Sequence, residues 1–249
     1  MCSENSNPII EISKLYKSFG EQEVLNGIEL EVQEGETLAI LGRSGVGKSV
    51  LLKIIVGLQV PDSGSVRIHG KEITQIPRDD LERVRKRIGF LFQGAALYDS
   101  LTVMENVNFP LRYHATMPPA ERRDRVRELL LQTGVEAASE KLPSEISGGM
   151  KKRVGLARAL ALEPEILLCD EPTSGLDPIT ANEINDLIKS LQARRKMTSM
   201  VVTHDLHSAK SISDHVALLH QGDIVIKGAF EDLQKSEDKF VKGFMQKGF

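Results

Sequence analysis

The sequence predicts an α/β fold in which helices cover a mainly parallel sheet, and three observations support this prediction. From residue 165 onwards, short apolar stretches typical of strands alternate with helical stretches, which is the order found in parallel sheets. A glycine-rich turn at residues 42–47 joins a buried strand to a helix. Near the amino end, apolar and polar residues alternate with a period of two, which indicates an antiparallel β flank with one solvated face.

The predicted elements follow this scheme along the chain. In the β flank, the alternation runs through Ile10 and Ile12, then Val24 and Leu25, then residues 28–32. Next come a buried strand at 36–41, a helix at 48–57, a strand at 65–69, amphipathic helices at 78–87 and 120–132, and an irregular segment at 94–111. The last third predicts strands at 166–170, 199–203 and 216–220, with helices at 178–194 and 206–213.

We expect one domain, residues 1–249. Its core comprises about 8–93 and 163–230, with a helical subdomain at about 94–162 and a C-terminal tail at 231–249. The tail repeats apolar residues near helical spacing, and it either packs on the domain or contacts a partner chain. These residues are Phe240, Phe244, Met245 and Phe249.

Composition is that of a globular protein and excludes several classes. Hydrophobic residues make up 41% and charged residues 27%, so collagen-like, coiled-coil and disordered chains are excluded. The chain has 32 Lys and Arg and 35 Asp and Glu, which gives a net charge of −3. A strongly basic balance is therefore absent, and no nucleic-acid partner is expected. The two cysteines, Cys2 and Cys169, are too few for a disulfide framework and indicate a reducing compartment, with Cys169 as a small buried hydrophobe.

No apolar run approaches the roughly 18–20 residues of a membrane-spanning helix. The polar residues 1–8 lack the order of a secretory signal, so we expect a cytosolic protein that reaches a membrane only through an embedded partner. Basic runs at 83–87 and 122–125 are interleaved with acids and indicate solvated helix faces, with lipid headgroup contact as the alternative.

Residues 42–49 fit the phosphate-binding pattern G-x-x-x-x-G-K-[ST] between a strand and a helix. The glycines let backbone N–H groups point at phosphate oxygens, and the helix N-terminus adds positive potential. Lys48 would reach the β- and γ-phosphates of a nucleotide, and Ser49 would hold Mg²⁺. The nucleotide-binding residues expected here are Gly42, Arg43, Ser44, Gly45, Val46, Gly47, Lys48, Ser49 and Val50.

The apolar strand at 166–170 ends in two carboxylates, Asp170 and Glu171. A strand buried on both faces has no structural use for adjacent acids at its carboxyl edge, where ligands of open α/β sheets bind. Asp170 would support Mg²⁺ through water or the Ser49 hydroxyl, and Glu171 would orient and deprotonate an attacking water.

A second anion-binding helix start is formed by Ser147, Gly148 and Gly149, which precede an apolar helix. It lies far from the first phosphate-seeking element in sequence. We therefore expect that one of the two elements serves a neighbouring molecule.

Taken in order, these motifs resemble those of the ATP-binding-cassette (ABC) ATPases over nearly the whole chain. The resemblance implies a P-loop NTPase fold, with a RecA-like parallel sheet core, an antiparallel β subdomain and a helical subdomain. It also implies that ATP, bound with Mg²⁺, is hydrolysed to ADP and phosphate between two copies of the chain. In that family the Ser147 motif of one copy closes on the γ-phosphate held by the other.

Further residues match ABC motifs. Gln93 resembles the Q-loop glutamine, which senses Mg²⁺ and the water, and Asp177 lies in a match to the D-loop. His204 resembles the switch histidine, which contacts the γ-phosphate and braces the catalytic glutamate. Phe19 matches the aromatic residue that stacks on adenine, with Tyr16 as the alternative. The implied catalytic residues are Glu171, His204 and Gln93, and the implied metal-binding residues are Ser49, Gln93 and Asp170.

One branch, the Mla-type (MCE-associated) phospholipid transporter ATPases linked to toluene tolerance and organic-solvent resistance, is similar at 91–103, at Asn106 with 110–112, and at 177–180. Met150 after the Ser-Gly-Gly motif fits the same branch. The resemblance implies a homodimer beneath a membrane permease, on the inner face of the cell inner membrane. It also implies an MCE-type lipid-binding protein and, in some such systems, a STAS-type regulatory subunit. Residues 95–107 would form either the groove for a permease helix or ordinary core.

Three alternatives remain open. The chain could serve a transporter of another cargo, such as an amino acid or an ion. It could be a soluble ABC ATPase of DNA repair or translation, although it has one cassette and no long coiled-coil insertion. It could also be a regulatory nucleotide-binding module without turnover, against which the intact Glu171 and His204 argue.

Overall fold

The computed structural model describes residues 8–247, in which ten strands form two sheets. The strands are β1 (Ile10–Phe19), β2 (Gln22–Val32), β3 (Thr37–Leu41), β4 (Ser63–Ile68), β5 (Lys71–Glu72), β6 (Ile88–Leu91), β7 (Ile166–Asp170), β8 (Thr198–Thr203), β9 (His215–His220) and β10 (Asp223–Gly228). One sheet has the order β2-β1-β4-β5, and the other has the order β10-β9-β3-β8-β7-β6.

The four-stranded sheet confirms the predicted antiparallel flank. In its register Ile10 of β1 lies opposite Val32 of β2, and both side chains are buried. The strands approach closely at Gly64, where a Cβ would lie 2.2 Å from the carbonyl oxygen of Lys14. Because Gly64 also has a φ of +95°, only glycine fits this position without strain.

The six-stranded sheet confirms the predicted parallel core. β3 pairs in parallel with β8 and β9, and β7 pairs in parallel with β6 and β8, while β10 is an antiparallel edge strand. Every residue of β3, β7 and β8 is buried, as expected for a sheet covered on both faces. In register, Leu41 lies beside Thr203 and Val202 beside Asp170, so the carboxyl ends of β3, β8 and β7 are neighbours.

Helices cover the sheet. The described residues contain α1 (Lys48–Ile55), α2 (Arg78–Arg85), α3 (Val103–His114), α4 (Pro119–Gln132), α5 (Gly148–Ala159), α6 (Pro178–Arg195), α7 (Leu206–Ile212), α8 (Phe230–Gln234) and α9 (Lys239–Lys247). Helices α3, α4 and α5 pack against one another, and α5 also packs on β6. None of the helices in the described range is long and apolar enough to cross a membrane.

The prediction of an irregular segment at 94–111 is wrong from residue 103 onwards, where α3 begins. Thr102 Oγ1 accepts the N–H of Glu105 at 3.2 Å, and Glu105 Oε2 accepts the N–H of Thr102 at 2.8 Å. This capping box starts the helix, and apolar residues at four-residue spacing bury one face. Those residues are Val103, Val107 and Leu111. Pro110 lies inside the helix and obscured the helical pattern in the sequence.

Alternate residues of the buried strands belong to hydrophobic cores on opposite faces of the sheet. In β7, Ile166 and Leu168 join a core with the β flank and α1. Leu167 and Cys169 join a second core with α3, α4, α5 and α6. The other buried strands alternate in the same way, so each strand ties two cores together.

The tail packs on its own chain. Val241 and Met245 of α9 are buried in a third core that includes β9, and the Phe240 ring stacks on His220 with a centroid distance of 3.6 Å. Phe249 lies outside the described residues, as do Cys2 and nearly all of the amino-terminal stretch examined for a secretory signal. The division into a core, a helical subdomain and a tail stays a prediction.

Candidate functional site

The candidate site lies at the carboxyl edge of the six-stranded sheet. The glycine loop at 42–47 follows β3, Glu171 follows β7 and His204 follows β8. These three strands are neighbours in the sheet. Residues far apart in sequence therefore converge at the edge where ligands bind in open α/β sheets.

The shape of the loop depends on its glycines. Gly47 has a φ of +105°, and a Cβ there would lie 2.8 Å from Val24 Cγ1. A Cβ on Gly42 would lie 2.7 Å from the carbonyl oxygen of Leu219. Helix α1 begins directly after Gly47, and in residues 8–247 no side chain caps its first-turn N–H groups. These N–H groups and the helix dipole are suited to an anion.

Lys48 fills the centre of this loop and is 5% exposed. Its ammonium donates to the carbonyl oxygens of Gly42 at 2.9 Å and Arg43 at 3.1 Å. The same Nζ lies 3.3 Å from Glu171 Oε1, so the two buried charges neutralise each other. An anion entering the loop would take the place of Glu171 as counterion.

Ser49 and Asp170, both predicted as metal-binding residues, meet in the structure. Ser49 Oγ donates to Asp170 Oδ1 at 2.7 Å. A hydroxyl and a carboxylate suit Mg²⁺, which commonly takes its remaining ligands from water and substrate phosphates. The described part of the chain holds no group of three or more His, Cys, Asp or Glu side chains that could bind a metal. The donor set therefore fits an ion shared with a phosphate ligand.

Glu171 is held from both sides. While Oε1 faces Lys48, Oε2 accepts a hydrogen bond from His204 Nδ1 at 2.9 Å. The carboxylate is nearly buried, whereas the His204 side chain is about half exposed, at 52%. Two fixed partners orient this carboxylate, and an oriented carboxylate can accept a proton from a water molecule.

An open cleft of about 320 Å³ lies beside the loop. It is lined by Phe19, Gln22, Val24, Ser44, Gly45, Gly47, Lys48, Ser49, Val50, Gln93 and Glu171. Phe19 is half exposed, whereas Tyr16 is absent from this lining and packs against Gly27. The geometry therefore favours Phe19 over Tyr16 as a platform for a planar group. Gln93 is exposed, and its Nε2 lies 3.5 Å from Ser174 Oγ.

The structure does not bring every predicted site residue to this cleft. The loop residues Gly42, Arg43 and Val46 are not part of the lining described above, and neither are Asp170 and His204, which contact the lining residues Ser49 and Glu171. Ser147 caps α5 and is exposed with Gly148, whereas Gly149 is buried. All three lie outside the cleft.

Asp177 also lies outside this lining, at the start of α6. Its carboxylate accepts the Thr180 hydroxyl at 2.6 Å and the Thr180 N–H at 3.0 Å. These hydrogen bonds lower the pKa of Asp177. The carboxylate is therefore ionised at neutral pH and exposed to solvent.

Sequence reasoning missed Lys152. This α5 side chain is buried, and its Nζ donates to the carbonyl oxygens of Gln93 and, at 2.9 Å, Glu171. Burial lowers the pKa of Lys152, although neighbouring acidic groups oppose that effect. The available signal was its spacing, because Lys152 shares a helix face with the buried Gly149 and Leu156.

The site combines a cationic loop, the paired oxygens of Ser49 and Asp170, the oriented Glu171 carboxylate and the Phe19 ring. The loop and Lys48 can hold a chain of phosphates, and Phe19 can stack on an attached ring. Glu171 can direct a water molecule at the terminal phosphate. Phosphoryl transfer requires mainly such positioning and charge stabilisation.

Comparisons with known proteins agree with this geometry. A family model described as ABC transporter matches residues 25–174. Over 223 residues the chain is 44% identical to the methionine import ATP-binding protein MetN of Brucella abortus (strain 2308), a match that covers 90% of this chain and 60% of MetN. Over 236 residues it is 41% identical to the probable ribonucleotide transport ATP-binding protein mkl of Mycobacterium leprae (strain TN), covering 95% of this chain and 68% of mkl.

A solved structure extends the comparison to the fold. The chain superposes with a TM-score of 0.82 on a dimeric structure of a post-hydrolysis state of the ATP-binding cassette MJ0796 bound to ADP and Pi. The two chains are 35% identical, and the match covers 89% of this chain and 98% of the other. The two sheets and the helical group described above therefore have the architecture of a known nucleotide-binding cassette.

Proposed function

The chain belongs to the ABC transporter family, and on this premise we propose that it is the ATP-binding subunit of a transporter and that it hydrolyses ATP. The observation that carries the proposal is the nearly buried Glu171 carboxylate, held between Lys48 and His204 beside the glycine loop. A module that only binds nucleotide has no need for an oriented carboxylate at this point.

The loop would bind the triphosphate. The backbone N–H groups of residues 42–49 donate to phosphate oxygens, and Lys48 exchanges its contact with Glu171 for the β- and γ-phosphates. Phe19 stacks on adenine, an interaction worth roughly 1–3 kcal/mol for base–aromatic pairs. Its half-exposed ring in the cleft lining supports this role.

Ser49 and Asp170 would hold Mg²⁺, and Gln93, which lines the cleft, would be a further ligand. The ion, when bound, neutralises charge on the phosphates during transfer. The 2.7 Å hydrogen bond between Ser49 and Asp170 already places the two oxygen ligands together.

Glu171 would act as the general base. Once phosphate engages Lys48, the carboxylate is free to accept a proton from the attacking water. His204, at the end of β8, keeps one carboxylate oxygen in place and would contact the γ-phosphate.

A second copy would complete the site. The exposed Ser147 and Gly148, with Gly149 behind them, form an anion-binding helix start that the cleft of the same chain does not use. We expect them to meet the γ-phosphate held by the partner, with Asp177 near the same interface. The dimeric state of the MJ0796 cassette supports this arrangement.

The test of hydrolysis is Glu171→Gln. The amide keeps the size of the side chain but cannot act as a base, so kcat should fall about 10²–10⁴-fold while ATP binding is retained. Turnover is measured by phosphate release and binding by titration with a fluorescent ATP analogue. Glu140→Gln, which changes an exposed carboxylate elsewhere, serves as the matched control. Turnover near the wild-type rate in Glu171→Gln would exclude the proposed base.

We further propose a permease partner that holds the dimer at the inner face of the cell inner membrane. A groove of about 400 Å³ beside α3 is lined mainly by apolar and aromatic side chains, including Phe90, Phe92, Tyr98 and Phe109. It overlaps the predicted docking stretch at 95–107, so that stretch is part groove and part core. The transport ATP-binding proteins MetN and mkl support a membrane partner.

For the cargo we propose phospholipids or related hydrophobic molecules, in an Mla/MCE-type system. The support is the sequence resemblance at 91–103 and 177–180, and the MCE-type and STAS-type partners rest on it alone. An amino acid is the second candidate, because MetN is named for methionine import. Purifying the chain with its membrane partner and identifying that partner and its bound molecules by mass spectrometry separates the two. A partner carrying amino acid and no lipid would refute the first candidate.

A further inference from the structure

We propose that Lys152 is a positioning residue that ties the segment at 93–96 to Glu171, so that helix α5 and the general base move together. The inference rests on the proposed function, in which Glu171 activates water. It adds a residue that is not part of the cleft lining, and it explains how contact at one end of α5 would reach the base.

The first step is the pair of acceptors. Lys152 Nζ donates to the backbone carbonyl of Gln93, which follows β6, and to that of Glu171, which follows β7. One ammonium therefore bridges two loops at the carboxyl edge of the sheet. Because Lys152 is 5% exposed, water cannot readily replace either contact.

The second step is the backbone of Glu171. Its φ of +46° lies in the left-handed region, which a glutamate adopts only under constraint. Its N–H donates to Val202 at 2.9 Å, and its carbonyl accepts from Lys152 at 2.9 Å. Both sides of this residue are thus anchored, and removal of the Lys152 anchor would let the carboxylate shift from its position beside Lys48.

The third step is a neighbouring cation on the same helix. Arg158 donates to the carbonyls of Ala95 and Ala96, each at 2.6 Å, and both alanines have a positive φ, +61° and +47°. Helix α5 therefore holds three carbonyls of the segment at 93–96 through two cations. Only Lys152 also contacts Glu171, which makes Arg158 a matched comparison for the second contact.

The helix itself supplies the connection. Ser147 caps α5 five residues before Lys152, so both lie within a turn and a half of one helix. A partner that contacts the exposed start of α5 would displace Lys152 as part of a rigid element. The displacement would act on Gln93 and Glu171 at once.

Three variants of the full chain test this role. Lys152→Met removes the donors and leaves an unbranched apolar side chain that is one atom shorter. Lys152→Arg retains donors, and Arg158→Met removes only the contacts to 95–96. Steady-state kinetics gives kcat and KM for ATP. Hydrogen exchange of the nucleotide-free protein, followed by mass spectrometry, reports on residues 93–97 and 171–176.

In Lys152→Met we expect kcat to fall about 10–100-fold, the cost of a displaced catalytic group, with KM within about threefold. Exchange should rise in both segments. In Arg158→Met it should rise in 93–97 only, with kcat within about threefold of wild type. Lys152→Arg should restore protection and most of kcat.

Three results would overturn the proposal: unchanged kcat in Lys152→Met, unchanged exchange at 171–176 in that variant, or no recovery in Lys152→Arg. If Lys152→Met fails to fold, Lys152→Arg is compared with wild type instead, and loss of protection at 171–176 or of most of kcat in that variant would overturn the proposal. A wild-type chain that does not hydrolyse ATP would instead refute the proposed function. The exchange pattern would then still show whether Lys152 holds Glu171.

Discussion

At the scale of single residues, Glu171 combines a functional carboxylate with an unfavourable backbone conformation. A left-handed φ costs a residue other than glycine about 1–3 kcal/mol. The hydrogen bonds of its N–H and carbonyl groups offset part of that cost. Strain of this kind often occurs at functional sites, and here it aims the side chain between Lys48 and His204.

Lys48 carries the first residue-scale prediction. Replacing it with alanine removes a charge-assisted contact worth about 1.5–3 kcal/mol, so ATP affinity should fall about 10–150-fold. Titration with a fluorescent nucleotide measures the change. Lys53→Ala, in the last turn of the same helix, should bind as wild type does. Wild-type affinity in Lys48→Ala would contradict the role assigned to the loop.

Cys169 carries the second residue-scale prediction. Burial raises the pKa of its thiol to about 12, so at pH 8.5 roughly one molecule in 3,000 is thiolate, against half for an ordinary cysteine. In a Cys2→Ser background, alkylation of the folded protein at pH 8.5 should be on the order of 10³ slower than in urea, and should accelerate as pH rises. Equal rates in the two conditions would show that Cys169 is not buried.

The candidate site could be predicted from sequence where a side chain carries the chemistry. Asp170 and Glu171 lie at the end of β7, and Lys48 and Ser49 begin the helix after the loop that follows β3. The positions of both strands follow from apolar patterning, and the structure brings the four residues together. Lys152 could not be assigned in this way. Its acceptors are backbone carbonyls, which leave no trace in the residue types at 93 and 171.

At the scale of elements, the strands predicted correctly include those with continuous apolar runs, whereas the edge strand β10 was not predicted. The runs at 36–41, 166–170 and 199–203 correspond to β3, β7 and β8. Strand β6 was missed because it has four residues, includes Gly89 and follows a charged helix. The helix α3 was missed because Pro110 lies within it, although the sequence contains the capping-box residues Thr102 and Glu105.

The junction of β6 and α5 permits a test at this scale. A Cβ on Gly89 would lie 2.6 Å from the carbonyl oxygen of Ala159, and neither backbone can yield easily. Gly89→Ala should therefore destabilise the protein by about 1–3 kcal/mol in urea unfolding. For Gly94→Ala, where the structure places nothing within 4 Å of the new Cβ, a change below about 0.5 kcal/mol is expected. Equal stability of the two variants would contradict the close packing at Gly89.

At the scale of the whole molecule, the cleft and the Ser147 motif occupy different surfaces of one chain. If two copies exchange them, each complete site takes its loop from one chain and its helix start from the other. The effect of two substitutions should therefore depend on how they are distributed. A defect in the loop and a defect in the Ser147 motif affect the same site only when they lie on different chains.

Mixed dimers of Lys48→Ala and Ser147→Arg test this rule. With the lesions on different chains, both fall in one composite site and the second stays intact. With both lesions on one chain, each site contains one of them, so ATP hydrolysis should be several-fold lower. Phosphate release from tagged, purified heterodimers measures the difference. Higher activity with both lesions on one chain would show that each chain works alone, and equal activity in the two pairings would also contradict the shared site.

The alternation of residues in the buried strands has a consequence for heating. Since β3, β7 and β8 each contribute to cores on both faces, none of the three cores can lose its packing while the sheet remains intact. Calorimetry of the single chain should thus record one endotherm, with equal calorimetric and van 't Hoff enthalpies, despite the chain's visibly separate β and helical regions.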